Sequence, residues 1–133
     1  MTTTLEPRQA LYQYLAADAA VKSAVGNRLF QRAAPANTEK PYLVIWPPIS
    51  RVRVRDLNGV AYKQARLQVT AVADSQTSAE TAANAVIAAV EGFKGTMAGS
   101  FNVIQTIVDN DNQIDYPDVN EVHHHVDVLV LYG

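Results

Sequence analysis

The stretch ARLQVTAVADSQTSAETAANAVIAAVEGF, residues 65–93, decides the fold, because a strand pattern changes into a helix pattern within it. In its first part, apolar and polar residues alternate. The apolar positions are Ala65, Leu67, Val69 and Ala71, and the polar positions are Gln64, Arg66, Gln68 and Thr70. A period of two predicts a strand over 61–73 that has one buried face and one wet face.

The second part of the stretch predicts a helix over 77–93. Thr77 and Glu80 have the spacing of a capping box, and Gly92 and Gly95 follow the helix as stop signals. The buried stripe consists of Ala79, Ala82, Ala83, Val86, Val90 and Phe93. Its small alanine side chains allow the helix to approach a sheet closely.

Upstream of this stretch, two further helices are predicted. The first carries Leu5, Leu11, Tyr14 and Leu15 at helical spacing, with Pro7 in its first turn. The second is short, and it begins at the N-cap Asp18 and ends at Gly26.

The remaining apolar and alternating segments predict strands. These segments are 28–31, 42–46, 51–55, 101–110 and 121–133, with turn chemistry at 56–59 and a turn-rich segment at 111–120. Together they predict one α+β domain over residues 1–133, in which two main helices pack on one face of a mainly antiparallel sheet of four to five strands.

Composition excludes several classes of function. The 133 residues contain 11 basic and 13 acidic side chains, for a formal charge of −2, so any basic surface must be local. No cysteine is present, which excludes disulfides, thiol nucleophiles and iron–sulfur sites. The N-terminal residues lack a signal-sequence pattern, and no apolar run approaches the roughly 20 residues of a membrane span. We therefore expect a soluble domain made in a cytoplasm, with no membrane partner.

The three consecutive histidines 123–125 are the first candidates for chemistry. Alternation along a strand places His124 on the core side, and places His123 and His125 on the wet side with Asp127. A pair of histidines on one strand face can bind a metal, but a site needs a third ligand and a supporting shell. A polar strand face is the simpler interpretation, so no metal or catalytic residue is assigned.

The most distinctive local charge is a ladder of arginines. Arg51, Arg53 and Arg55 lie at alternate positions and therefore on one face of a strand, near a hairpin tip. Three interpretations stay open: contact with a phosphate backbone, contact with an acidic neighbouring subunit, or an edge strand kept soluble by charge.

Taken in order, these segments resemble the tail-completion family of tailed bacteriophages, whose members are similar to tail-terminator proteins. The resemblance runs from about residue 10 to residue 132, and its most specific parts are 18–30, 41–44 and 65–95. It implies a ring, expected to be a hexamer, at the head-proximal end of the tail tube. The ring would cap the tube and provide the head–tail joining surface, with no cofactor and no catalysis. Partners implied are the major tail tube protein, the head–tail connector or head-completion protein, and DNA in the lumen with at most weak, sequence-independent contact.

A ring subunit needs two different patches that meet, and charge suggests which they are. We expect the arginine ladder of one subunit to face the acidic segment 109–118 of the next, and His123 and His125 to lie at a subunit boundary. The predicted interface residues are Arg51, Arg53, Arg55, Asp109, Asp111, Asp115, His123 and His125. The alternatives are a head-completion or connector subunit, and a metal-dependent enzyme that uses His123 and His125.

Overall fold

The computed structural model describes residues 6–133, apart from the side chains of Asp56 and Val60. Leu5, which was assigned to the first helix, lies outside the described residues. The elements in chain order are α1 (Pro7–Ala17), α2 (Ala19–Val25), β1 (Leu29–Gln31), β2 (Tyr42–Ile45), β3 (Ser50–Asp56), β4 (Gly59–Ala73), α3 (Gln76–Val90), β5 (Gly95–Met97), β6 (Phe101–Tyr116), a 3₁₀ turn (Pro117–Val119) and β7 (Glu121–Tyr132).

All the strands belong to one sheet, with the order β1-β2-β4-β7-β6-β5 and with β3 paired to β4. Only β1 and β2 are parallel, so the predicted α+β class with a mainly antiparallel sheet is confirmed. The predicted count of four to five strands is wrong, because the sheet has seven. β1 corresponds to the predicted segment 28–31, whereas β5 has three residues, is too short to show a period in the sequence and was not predicted.

The core lies between the helices and one face of the sheet. Leu67 and Val69 of β4 and Val126 and Val128 of β7 are fully covered there by the helices. The predicted stripe of α3 is confirmed, since Ala79, Ala82, Ala83, Val86 and Val90 are all buried. In the described part of the chain, no helix has the length and apolar character that a membrane span requires.

The predicted N-cap of α2 is confirmed, whereas the predicted start of α3 is wrong. Asp18 caps α2 by accepting a hydrogen bond from the backbone N–H of Val21 at 3.0 Å, as predicted. The capping box at Thr77 is wrong, because α3 begins earlier and Ser75 is its N-cap, accepting from the N–H of Ser78 at 3.2 Å. Both Ser75 and Thr77 are good capping residues, and β4 ends close enough to Ser75 for the helix to start there.

Strand β6 is longer than the sequence indicated. The segment 111–120 was predicted to be turn-rich, but residues 111–116 continue β6 and pair with β7 from Val126 to Glu121. Only the 3₁₀ turn and Asn120, which has a left-handed backbone, form the connection. The pairing with β7 overrides the weak strand propensity of these polar residues.

The face of the sheet that carries no helix is drier than predicted. Gln64, Arg66 and Gln68 are half-buried, and Thr70 is only 1% exposed. Thr70 lies between Val44 of the adjacent strand β2 and His125 of the adjacent strand β7. Neighbouring side chains therefore cover Thr70, although the alternation alone predicts that its face of the sheet is exposed to solvent.

Candidate functional site

The three histidines divide between the two faces of β7, as alternation predicted. His124 is 8% exposed on the helix-bearing face. Its Nε2 lies 2.7 Å from Oδ2 of Asp111, and its Nδ1 lies 3.1 Å from Oε1 of Gln113, both on β6. His124 thus ties the two strands of the long β6–β7 hairpin together by side-chain contacts.

His125 belongs to a hydrogen-bonded chain on the opposite face. The indole N–H of Trp46 donates to Oγ1 of Thr70 at 2.8 Å, and this hydroxyl lies 2.8 Å from Nδ1 of His125. The Thr70 hydroxyl can accept from Trp46 and at the same time donate its one proton to Nδ1 of a neutral His125. Burial, followed by the charge of His123, lowers the pKa of His125, which favours this neutral form.

His123 lies beside a small ion-pair network at the start of β7. Its Nε2 is 3.1 Å from Oε1 of Glu121, whose other oxygen is 3.2 Å from Nζ of Lys40. The hydrogen bond from His123, reinforced by Lys40, lowers the pKa of Glu121. The ring of Tyr116 lies 4.5 Å from that of His123, and links the end of β6 to the same network.

A metal site is not assembled from these groups. Among residues 6–133, no group of three or more histidine, aspartate or glutamate side chains is arranged to hold an ion. His123 and His125 lie with their ring centroids 6.1 Å apart, and each already contacts a protein partner. The arrangement that the structure supports is a hydrogen-bonded sheet surface.

The arginine ladder lies on β3, which is paired only with β4. Arg51 forms an ion pair with Glu6, the N-cap of α1, at 2.9 Å. Arg53 is directly opposite Lys63, so two like charges face each other across the strands. Within the described residues, Arg53 and Arg55 form no ion pair with the rest of the chain.

The predicted acidic residues lie on β6 at the other end of the sheet. Asp109 forms an ion pair with Arg66 at 2.7 Å, and Asp111 contacts His124. Asp115 is exposed and forms no ion pair in the part of the chain that the structure describes.

The two charged groups do not meet within one chain. Arg53 pairs directly with Lys63 of β4. Asp115 pairs with Val122 of β7, which in turn pairs with Ala73 of β4, so Asp115 lies at the same height along the strands as Ala73. Ten positions of β4, from Lys63 to Ala73, separate these levels, or about 33 Å at about 3.3 Å per residue. Any contact between the ladder and the acidic residues is therefore made between different molecules.

Sequence reasoning missed Trp46 and Thr70. Trp46 stands between an apolar strand and two prolines, and its side chain remains 39% exposed while its N–H is anchored on Thr70. An aromatic side chain held in this way has the character of an interface anchor. The signal in the sequence was the apolar run that ends in a lone tryptophan.

The comparisons with known proteins agree with a role in a virion. A chain of the structure described as "Virion of native gene transfer agent (GTA) particle" matches with a TM-score of 0.80 and 18% identity, over 96% of this chain and 95% of that chain. At that identity the likeness establishes the fold, and the fold is one that a chain of a virion adopts. No curated protein matches the sequence.

The family described as "Tail completion protein gp17" matches residues 9–133. The chain belongs to this family of bacteriophage tail-completion proteins, and it is a structural protein of the phage tail. The resemblance that the sequence carried is thereby confirmed. Membership in a structural family points away from an enzyme.

Proposed function

We propose that the protein assembles into a ring, a hexamer, which caps the head-proximal end of the tail tube and offers the surface on which the head connector docks. Its partners are other copies of itself, the major tail tube protein and the connector. Family membership and the fold shared with a virion chain support a tail role. The placement of charge on the sheet supports the ring.

The observation that carries the proposal is the separation of two opposite charges to the two ends of one sheet. A ring is built from a heterologous contact, in which one patch of a subunit meets a different patch of the next. Arg53 and Arg55 form one patch on β3, and Asp115 with the other β6 acids forms the second. Because they lie too far apart to meet within a chain, they are available to neighbours.

The local electrostatics favour such a contact. Arg53 faces Lys63 across the strands, and like charges in that position destabilise a sheet until an anion approaches. A guanidinium group suits this role because its planar fork binds a carboxylate through two hydrogen bonds. Asp111 is the acid best placed to respond, since its side chain is 45% exposed beside His124, whereas Asp109 is already paired with Arg66 at 2.7 Å.

His123 and His125 fit this contact less well. They lie on β7, which has β4 on one side and β6 on the other, so neither histidine is at a sheet edge. Their role at a subunit boundary stays a prediction. A lumen that passes DNA would meet a chain of net charge −2, which favours weak, sequence-independent contact at most.

Charge reversal tests the ring. Arg53→Glu alone and Asp111→Lys alone should each lower the fraction of protein in rings, because each places like charges at the contact. The double variant should restore rings, as judged by native mass spectrometry and negative-stain microscopy of the protein with tail tubes. Lys22→Glu and Glu80→Lys, two exposed changes on helices, serve as matched controls.

The outcomes separate the possibilities. Loss of rings in both single variants without recovery in the double variant would contradict the pairing of these two residues. Wild-type protein that binds neither itself nor tube ends would contradict the ring itself. Binding to the portal side of filled heads, with bare tube ends, would favour a head-completion or connector subunit.

A further inference from the structure

We propose that neighbouring copies join by strand addition: the free edge of β3 in one copy pairs, antiparallel, with the free edge of β6 in the next. The seven-stranded sheets would then form one continuous sheet around the ring. This inference rests on the proposed ring and says how its subunits are held together.

Both strands present unpaired backbone along one side. β3 is paired with β4 and with no other strand among the described residues. β6 is paired with β5 only over its first three residues, and with β7 on its other side. The next residues of that edge are satisfied within the chain, since Thr106 bonds to Gly92 and Phe93, and the N–H of Val108 bonds to Glu91.

The segment 109–116 of β6 is therefore the open part of that edge. An edge of this length, with free N–H and C=O groups, is a template for pairing with another chain. β3 offers seven residues and segment 109–116 offers eight, so the two free edges have matching lengths. Both carry charged side chains, which discourages indiscriminate pairing and allows pairing with an edge of opposite charge.

The directions and faces of the two strands are compatible. Each of the steps β3 to β4, β4 to β7 and β7 to β6 is antiparallel, so β3 runs opposite to β6. Rotation about a ring axis preserves that relation for the neighbouring copy. The side chains of Arg51 and Arg53 lie on the helix-bearing face, since Arg51 is opposite buried Ala65 and reaches Glu6 of the helix layer.

Asp111 and Asp115 lie on the same face. Asp111 is opposite Val126, which is part of the core, and Asp115 is opposite Val122, which packs with Ala79 of α3. In an antiparallel pair, directly opposite side chains project on the same side. Strand addition that keeps both helix layers on one side therefore places arginines directly across from acids.

The stagger between the two patches matches a closed ring of tilted strands. Arg53 is level with Lys63, and Asp111 is level, through Val126, with Val69. These levels are six positions apart on β4, or about 20 Å.

In the continuous sheet, each copy contributes four strands side by side, in the order β3, β4, β7 and β6. The distance across the strands from β3 of one copy to β3 of the next is therefore about 19 Å, at about 4.8 Å per strand. In a closed sheet the strands tilt against the ring axis, by about 45° at the upper end of the usual range. At that tilt, the displacement along the strand direction between one copy and the next equals the distance across the strands between them. Tilt alone thus brings Arg53 level with Asp111 of the neighbouring copy. The same register places Arg51 opposite Gln113.

Cysteine cross-linking in the assembled protein tests the register, and the absence of native cysteine removes any background. Arg53→Cys is combined in turn with Asp111→Cys, Asn112→Cys or Gln113→Cys, and each protein is mildly oxidised after assembly. Disulfides need Cβ atoms about 3.5–4.5 Å apart, so Arg53 and Asp111 of one chain, on strands about 20 Å out of level, cannot bridge within that chain.

The expected result is a ladder of covalent oligomers on a non-reducing gel for the 53–111 pair, less for the 53–113 pair, and none for the 53–112 pair. Position 112 lies on the opposite face and provides the matched control. Arg53→Cys with Lys22→Cys, an exposed site on α2, controls for random collision.

Each other outcome refutes one of the two proposals. Rings that form but give no cross-link from position 53 to 111 or 113 would overturn strand addition and leave the ring in place. Equal cross-linking at 111 and 112 would also overturn it, because paired strands hold alternate residues apart. If no copy associates with another, in solution or on tube ends, then both the ring and the strand pairing are wrong.

Discussion

Replacing Thr106 by valine should loosen the end of α3 from the sheet. The Thr106 side chain is fully buried, and its hydroxyl donates to the carbonyl of Val90 and accepts from the N–H of Phe93 at 3.1 Å. Valine has nearly the same shape but can form neither bond. The backbone bonds of Thr106 to Gly92 and Phe93 are not changed by the substitution.

The expected loss in the free energy of unfolding depends on which hydrogen bonds remain in Thr106→Val. Each lost hydrogen bond contributes about 0.5–1.5 kcal/mol, and a buried group left without a partner costs about 1–3 kcal/mol. The N–H of Phe93 also lies 3.2 Å from the carbonyl of Val90, so these two groups keep each other as partners. We therefore expect a loss of about 1–3 kcal/mol in the free energy of unfolding, rather than the full cost of two orphaned groups.

Urea unfolding measures this loss, with the single tryptophan, Trp46, as the fluorescence probe. Protein concentration is held fixed, because association would contribute to apparent stability. Thr96→Val is the matched control, since Thr96 is exposed on β5 and its hydroxyl makes no hydrogen bond with the described residues. If Thr106→Val is within about 0.5 kcal/mol of that control, the size of an ordinary surface change, the hydroxyl does not hold the helix end.

Two further predictions concern the core and the histidines. Leu67→Ala, at a fully buried position of β4, should cost about 2–5 kcal/mol in urea unfolding, whereas Leu57→Ala at the exposed hairpin tip should change stability by less than about 0.5 kcal/mol. Because burial lowers the pKa of His125 in the folded state, stability is present above the unfolded pKa of about 6.5 and is lost as pH falls through the folded value. Unfolding measured between about pH 7 and pH 5, the range in which histidine titrates, should depend on pH less steeply in His125→Gln than in the unsubstituted protein. Equal slopes would contradict this assignment, and the range stays above the titration of Glu121, whose lowered pKa matters only in stronger acid.

The sequence predicted those elements whose local pattern and tertiary surroundings agree. Strand β7 alternates without interruption, and its even positions are buried from Val122 to Val130. The helix stripe of α3 was equally plain, because five of its six apolar positions meet the sheet within the helix and the sixth, Phe93, lies just beyond its end. Family resemblance and fold class followed from the same segments, since both depend on the order of these patterns.

The errors arose where contacts distant in sequence decide the outcome. Thr70 was assigned to a wet face, but its hydroxyl meets Trp46, which directly follows β2, and His125 of β7. The arginine ladder was correctly placed on one face of a hairpin strand, but its level relative to the acids depends on the register of three strand pairs. No local pattern contains that information, because register is set by pairing.

The misread segment 111–116 bears directly on how the subunits meet. Asn, Asp and Gln are poor strand formers, so a segment rich in them reads as a turn, and pairing with β7 on one side is what holds it extended. A second strand on the free edge would stabilise such a segment strongly. Each added backbone hydrogen bond contributes stability to the extended conformation that the side chains, being poor strand formers, do not provide. Asp111 contacts His124 and Asp115 has no ion pair among the described residues, and both charges are complementary to the ladder on β3. The polar composition that made this segment look like a turn is thus also what suits it to pair with another copy.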